Sequence, residues 1–194
     1  MSKPSARWLW PALGTIVLGC SPTPRPDPGR LSLTSLKDPS APTRYHQSIA
    51  RGSYRRRPGR RCDIVLRSSG DALADAAAER IDHVLHIDVF YRPVPGKTYV
   101  ERTMTNARLD YYVLAGAQGL HYTGAGFVTF DLAGDGEMTG RIESGHLDVA
   151  QRINGAVDRY GAMTIQGRFR AARDPAGTLD ALRRLGGRFD GRPD

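Results

Sequence analysis

A regular alternation of apolar and polar residues is the sequence feature that most constrains the fold of this chain. Between residues 107 and 149 large apolar side chains fall on every second position, beginning with Leu109, Tyr111 and Val113. A period of two places such side chains on one face of a β-strand and the polar ones on the other. The chain is therefore predicted to be rich in antiparallel strands. Further instances are Leu85–Ile87–Val89, Val128–Phe130–Leu132 and Met163–Ile165–Phe169.

One hairpin in this region allows its register to be predicted. A two-residue turn would set Leu132 opposite Thr139, an apolar side chain opposite a polar one on the same face. A three-residue loop, Gly134–Gly136, sets Leu132 opposite Met138 instead. That loop also places Gly136 where a left-handed residue is needed. Because a slip of one residue turns a whole strand inside out, we favour the longer loop. It predicts the pairs Leu132–Met138 and Val128–Ile142.

The last part of the chain predicts a helix over about 175–186. Asp174 is placed to cap it, and Pro175 takes the first helical position, where a missing N–H costs nothing. Gly186–Gly187 is expected to end the helix, and residues 190–194 are expected to form a tail. The apolar stripe of this helix consists of Leu179, Leu182 and Leu185.

The other predicted elements are short. Residues 71–80 predict a helix capped by Asp71, with a loop as the alternative. Gly124 and Gly126 indicate a bulge or a sharp bend inside a strand. The fold class is therefore mainly β: an antiparallel meander closed as a barrel or packed as a sandwich, with one C-terminal α-helix and a disordered N-terminal tether. The remaining strands are Cys62–Leu66, His83–Tyr91, Thr98–Thr105 and Ala162–Ala171, and residues 144–149 continue the sheet before a loop over 151–159.

An apolar run over residues 8–18 lies near the start of the chain and follows two basic residues. It is too short to span a bilayer, which takes roughly 20 apolar residues. A positive start, a short apolar middle and a small residue near its end are typical of a secretory signal. Val17, Gly19 and Cys20 match the lipobox pattern, so residues 1–20 resemble the signal of a bacterial lipoprotein.

This resemblance implies that Cys20 carries a diacylglycerol thioether and that the protein is exported and anchored to a membrane of the bacterial cell envelope. Residues 1–19 are then the signal peptide, residues 20–44 the lipidated cysteine with a proline-rich linker, and residues 45–189 a single domain. Proline at this density favours polyproline II, and disorder is expected for the tether. With Cys20 acylated, Cys62 lacks an intrachain disulfide partner. We predict that it is a small apolar residue at a strand start, with a reactive or intermolecular thiol as the alternative.

The chain is basic, with a formal net charge of +8 at pH 7. Its densest charge cluster predicts attraction to anionic lipid headgroups or envelope polymers, screened by salt. A solvated loop or a charged edge strand is the alternative. Nucleic acid is not predicted as a partner, because an exported protein seldom meets it and Tyr54 is the only aromatic residue in the tract. Arginine outnumbers lysine throughout the chain, so composition bias is a further explanation for part of the cluster. The cluster consists of Arg51, Arg55, Arg56, Arg57, Arg60 and Arg61.

No pattern in the sequence predicts a catalytic, metal or cofactor site. His83 and His86 are three residues apart on a predicted strand, so they point to opposite faces. Ser144 and His146 share a strand face, but nothing marks an oxyanion hole beside them. The sequence also lacks a nucleophile elbow and a phosphate loop. The five histidines, His46, His83, His86, His121 and His146, are interpreted as surface or hydrogen-bonded side chains.

We therefore expect a non-catalytic structural or interaction module of the cell envelope. Two alternatives stay open. The first is a small-molecule or lipid-binding barrel with an interior lined by Tyr111, Phe130 and Ile142. The second is an envelope hydrolase, which would require titratable residues that converge in one cleft.

Overall fold

The computed structural model describes residues 29–69, 81–92 and 105–190. The predicted signal peptide, Cys20, the predicted helix over 71–80 and the predicted strand Thr98–Thr105 lie outside or largely outside these residues. The described elements are β1 (Gly29–Ser35), β2 (Thr43–Ser48), β3 (Arg51–Arg56), a 3₁₀ turn (Pro58–Arg60), β4 (Cys62–Ser69), β5 (Ile81–Val89), β6 (Ala107–Ala115), β7 (Gln118–Leu132), β8 (Glu137–Ile153), β9 (Met163–Arg173) and α1 (Pro175–Phe189).

Strands β3 to β9 form an antiparallel meander in which each strand pairs with the next. The last strand, β9, also returns to β3, with which it makes a short parallel pairing of Ser53 with Ala172 and Tyr54 with Arg173. Strands β1 and β2 form a hairpin that extends this junction, since β1 pairs with β9 from Gly29 to Ser35. Strands β3 to β9 therefore form one closed ring of pairings, and the β1–β2 hairpin is attached to it at β9. The mainly β meander with a single C-terminal helix, predicted from the alternation, is confirmed.

The core of the domain lies inside this ring. Inward side chains of all the strands from β3 to β9, and of β1, belong to one continuous apolar cluster. Tyr111 and Ile142, which the sequence placed in a candidate interior, are fully buried in it, and Phe130 is 9% exposed. Burying each such side chain is worth about 1.5–3 kcal/mol, so this cluster is the main source of stability. Cys62 begins β4 and is buried in the same cluster, as predicted.

The predicted register of the hairpin between β7 and β8 is confirmed. Leu132 pairs with Met138, and Val128 pairs with Ile142. Gly136 adopts a φ of +84°, the left-handed conformation that the three-residue loop requires. The choice between the two loops therefore followed correctly from which face of the strand must be buried.

Glycines allow close approach of neighbouring chains inside this hairpin. The pairing of β7 with β8 shifts register between His121 and Tyr122 and between Phe127 and Val128. Both shifts lie close to Gly124 and Gly126, where the sequence predicted a bulge or a bend. At Gly124 itself a side chain would overlap the backbone of β8. On β8, a side chain at Gly140 would overlap the aromatic ring of Phe169. Glycine at these positions lets long strands bend around a filled core.

Helix α1 packs on the outside of the ring. Asp174 caps it by accepting a hydrogen bond from the Gly177 N–H at 2.9 Å, with Pro175 at the first position, as predicted. Of the predicted stripe, Leu185 is buried and Leu182 is partly buried, and the buried face also includes Thr178, Ala181 and Phe189. A second, smaller apolar cluster results, in which Ala181 and Leu185 contact Val65 and Val84.

Three predicted boundaries are wrong. The helix continues past Gly186–Gly187 because Phe189 packs against Tyr112, and the Phe189 carbonyl accepts a hydrogen bond from Gln151 at 2.6 Å. Strand β8 runs to Ile153, which shortens the predicted loop over 151–159. The linker predicted over residues 20–44 is interrupted by β1.

Strand β1 belongs to the domain because its side chains complete the core. Leu31 and Leu33 are 2% and 0% exposed, and β1 pairs with β9 along its whole length. The apolar content of this strand is small, and only a partner strand far away in the sequence makes it a core element. The domain thus includes β1, Gly29–Ser35, which lies within the linker predicted before residue 45.

Candidate functional site

A chain of carboxylates and histidines crosses the outer face of the sheet from β4 to β7. Each strand contributes one member, and we call Asp63, His86, Asp110 and His121 the acid–histidine chain. The distances are 3.2 Å from Asp63 Oδ1 to His86 Nε2, 3.6 Å from His86 Nδ1 to Asp110 Oδ2, and 3.0 Å from Asp110 Oδ1 to His121 Nε2. The strand register brings them together, since His86 pairs with Asp110, and Tyr112, the next outward residue of β6, pairs with His121.

His86 sits between two carboxylates, which favour the protonated form of its ring. Burial by itself lowers the pKa of His86, but the neighbouring carboxylates of Asp110 and Asp63 outweigh this effect and raise the pKa above its usual value. The His86 side chain is 9% exposed. Both ring nitrogens face an acceptor, so the ring has no free lone pair for a proton or a metal ion. Its role in this geometry is to join two buried anions.

Asp110 is the centre of the acid–histidine chain. Burial would raise the pKa of its carboxyl, but the contacts with His121, His86 and Thr123 and the charge of Arg108 hold that pKa far below the usual range. The Thr123 hydroxyl donates to Asp110 Oδ1 at 2.9 Å, and Arg108 Nε donates to Oδ2 at 2.9 Å. A buried carboxylate with this many donors is stable as an anion.

His121 is the end of the acid–histidine chain and carries its only aromatic stack. Its ring stacks on Tyr112 with a centroid separation of 4.5 Å and meets Phe189 of α1 edge-on. An aspartate that orients a histidine is one element of many hydrolytic sites. Within the described residues, however, no hydroxyl or thiol is hydrogen bonded to His121, and no group of three or more acidic, histidine or cysteine side chains is arranged to hold a metal ion.

The arginine cluster predicted from the sequence lies beside the acid–histidine chain, and part of it is bound to carboxylates. Arg55 Nε donates to Asp63 Oδ2 at 2.7 Å, and Arg57 Nε lies 3.3 Å from the same oxygen. Arg57 also donates to Asp88, which Arg61 approaches at 3.7 Å. The side chains of Arg55 and Arg57 therefore neutralise buried aspartates.

The remaining members of that cluster point elsewhere. Arg51 lies 3.6 Å from Asp174 at the start of α1, with its side chain 72% exposed. Arg56 is exposed, and for Arg60 the description covers the backbone alone. The prediction that the cluster contacts an anionic surface stays a prediction, and it now depends mainly on Arg51, Arg56 and Arg61.

A second basic surface lies on β1, β8 and β9, where the sequence did not indicate one. There an open groove of about 750 Å³ runs across the outer face of the three strands. We call it the arginine groove. Its basic lining residues are Arg30, Arg141, Arg168, Arg170 and His46.

Register explains why these arginines are neighbours. Arg30 on β1 pairs with Arg168 on β9, and Arg168 pairs with Arg141 on β8. Three arginines thus form one row across three adjacent strands. Side chains directly opposite each other have Cβ atoms only about 4.5–5.5 Å apart, and like charges in such pairs are destabilising. The row therefore favours any anion that can lie between the guanidinium groups.

The other histidines considered as candidate ligands do not lie together in the fold. His83 points into the ring, opposite in direction to His86 as predicted, and its Nδ1 lies 2.7 Å from the Tyr111 hydroxyl. His146 is exposed and lies 3.6 Å from Asp148, next to exposed Ser144. Only His86 and His121 share a cluster, and only His46 lines the arginine groove.

Comparisons with protein-family models, with curated proteins and with solved structures found no match. No helix of the described residues has both the length and the hydropathy needed to cross a membrane. The class of this protein therefore follows from its own residues: a closed ring of antiparallel strands with a buried ion network on one part of its outer face and a basic groove on another.

Proposed function

We propose that the protein is a lipid-anchored, non-catalytic interaction module of the bacterial cell envelope. The observation that carries the proposal is the lipobox-like sequence ending at Cys20, followed by a folded domain whose first described residue is Gly29. Acyl chains on one thiol hold a protein at a membrane by about 0.8 kcal/mol for each buried CH₂ group. Cys20 is the residue that would carry them.

The state of the titratable residues supports a binding role over a catalytic one. His86 has both ring nitrogens directed at carboxylates, and hydrogen bonds keep the pKa values of Asp63 and Asp110 low. Burial raises the pKa of the Cys62 thiol to about 12, so this sulfur is protonated at neutral pH. Groups that hold their protons or charges this firmly are suited to stabilising a surface, since general acids and bases work best with a pKa near the working pH.

The test is mass spectrometry of the native N-terminus, combined with membrane fractionation. We expect the chain to begin at Cys20 with an added diacylglycerol, and we expect Cys20→Ser to lose the added mass and the detergent-dependent extraction from membranes. Cys62→Ala is the matched control, because it removes the other cysteine of the chain and leaves the anchor in place. An unmodified N-terminus, or equal membrane partition of native protein and Cys20→Ser, would refute the proposal.

A further inference from the structure

The arginine groove lies next to the point where the chain leaves the domain toward Cys20. Arg30 follows Gly29, the first described residue, and both line the groove. Eight residues, 21–28, separate Cys20 from Gly29. A chain of this length spans at most about 30 Å even when fully extended. If Cys20 carries lipid, the groove cannot lie farther than that from the membrane surface.

The charges of the groove are only partly neutralised. Arg141 is 3.0 Å from Glu143, and Arg170 is 3.6 Å from Glu137. Within the described residues, no carboxylate lies within ion-pair distance of Arg30 or Arg168, although these two face each other across β1 and β9. An uncompensated pair of arginines at the centre of a groove is a site for an anion.

Phosphate is the anion that this geometry fits. A guanidinium group offers two parallel N–H donors, and two adjacent guanidinium groups can bind the oxygens of one phosphate between them. The volume of about 750 Å³ accommodates a headgroup as well as its phosphate. Exposed Gln166 and Thr139 line the same groove and add neutral hydrogen-bonding groups.

We propose that the arginine groove binds the phosphate headgroups of the membrane that holds the lipid on Cys20. This proposal rests on the proposed function for its choice of partner, because only the anchor makes a lipid surface the nearest phosphate. The domain would then lie with β1, β8 and β9 against the bilayer, rather than turn freely on its tether. The two acyl chains on Cys20 already hold the protein at the membrane, so the headgroup contact would fix the orientation of the domain.

The experiment measures how close the groove comes to a membrane. A fluorophore is placed on Ser48→Cys, since exposed Ser48 pairs with Arg30 at the rim of the groove and Cys62 is too buried to compete for the label. The purified full-length lipoprotein is reconstituted into vesicles that contain a headgroup-bound quencher. One vesicle set is pure phosphatidylcholine, and the other contains about one third phosphatidylglycerol.

The proposal predicts stronger quenching in the phosphatidylglycerol vesicles and loss of the difference at about 0.5 M salt, where the Debye length is only a few ångströms. Arg30→Gln with Arg168→Gln should weaken the contact about 30-fold, from the contribution of two basic residues near an anionic surface. The matched control is Arg67→Gln with Arg183→Gln, which removes the same charge from exposed positions on β4 and α1. Equal quenching in both vesicle sets, or equal loss in both double variants, overturns the proposal.

Two further arms separate the possible failures. In the first, inorganic pyrophosphate at millimolar concentration is added to the phosphatidylglycerol vesicles. A loss of quenching at that concentration would indicate that the groove binds soluble phosphates instead of headgroups. If mass spectrometry shows no lipid on Cys20, the proposed function fails, and flotation of the same protein with the two vesicle sets then tests the groove alone. Binding to phosphatidylglycerol vesicles that depends on Arg30 and Arg168 would retain the groove without the anchor, and no binding would refute both.

Discussion

His83 makes the stability of this domain depend on pH in a window of its own. Its ring lies inside the closed ring of strands, 5% exposed, stacked on Tyr111 with its Nδ1 2.7 Å from the tyrosine hydroxyl. Burial lowers the pKa of His83 from 6.5 to about 4, an effect that the charge of Asp82 only partly opposes. The neutral ring shares a hydrogen bond with the Tyr111 hydroxyl, whereas a charged ring would be desolvated inside the core.

The sign and size of the effect follow from linkage. Below pH 6.5 the unfolded chain takes up a proton on this histidine, while the folded chain does not do so until about pH 4. The free energy of unfolding therefore decreases as the pH falls through this window, by about 3 kcal/mol in total. The low pKa values of Asp63 and Asp110 affect stability only in more acidic solution, and the raised pKa of His86 affects it only above pH 6.5.

Urea unfolding followed by circular dichroism, at pH values between 7.5 and 4.5, measures this effect. The free energy of unfolding of the native protein should fall by most of the 3 kcal/mol between pH 6.5 and 4.5. For His83→Gln, whatever its stability at pH 7, the free energy of unfolding should change much less over the same range. His146→Gln serves as the control, since it removes an exposed histidine from β8. If His83→Gln loses as much stability as the native protein over that range, the buried neutral histidine is not the cause and the reasoning is wrong.

Three further predictions concern single side chains. Asp110→Asn should destabilise the domain by about 3–5 kcal/mol, because it takes one of the two carboxylates away from the buried ring of His86. Urea unfolding measures this loss, and the control is Asp131→Asn, which changes a side chain that is 92% exposed. Gly140→Ala should cost about 1–3 kcal/mol by overlap with Phe169, whereas Gly134→Ala, with nothing near, should be close to neutral in the same assay. Cys62 should resist iodoacetamide at pH 8 in the folded protein and react in urea, and fast alkylation of the folded protein would contradict its burial.

Much of the strand content could be predicted because each strand of the meander has one face in the core. The period of two in Leu109, Tyr111 and Val113 is a direct record of that burial. The register of Leu132 with Met138 could be predicted as well, because the two strands are joined by a loop of three residues and the alternatives are few. Local patterns are sufficient wherever partner strands are adjacent in the sequence.

The same reason explains why neither strand β1 nor the acid–histidine chain could be predicted. Leu31 and Leu33 are buried by β9, more than a hundred residues away, so their short apolar pattern between prolines looked like part of a linker. Asp63, His86 and Asp110 occupy outward positions, which the alternation assigns to solvent. They are buried because residues from separate strands meet in register, and hydrophobic periodicity contains no information on such side-by-side contacts.

The two basic surfaces of the ring differ in how the register distributes charge, and this difference argues for a function of the groove. Arginine is abundant throughout the chain, so composition alone would place arginines on every face. On β3 to β6, however, Arg55 pairs with Asp63 and Arg108 pairs with Asp88, and where Arg51 pairs with Arg67 the carboxylate of Asp174 lies 3.6 Å from Arg51. On β1, β9 and β8 the register sets Arg30 against Arg168 and Arg168 against Arg141, and no carboxylate of the described residues lies within ion-pair distance of Arg30 or Arg168. The same fold accommodates both arrangements, and the second leaves a cost that an anion from outside the domain would remove.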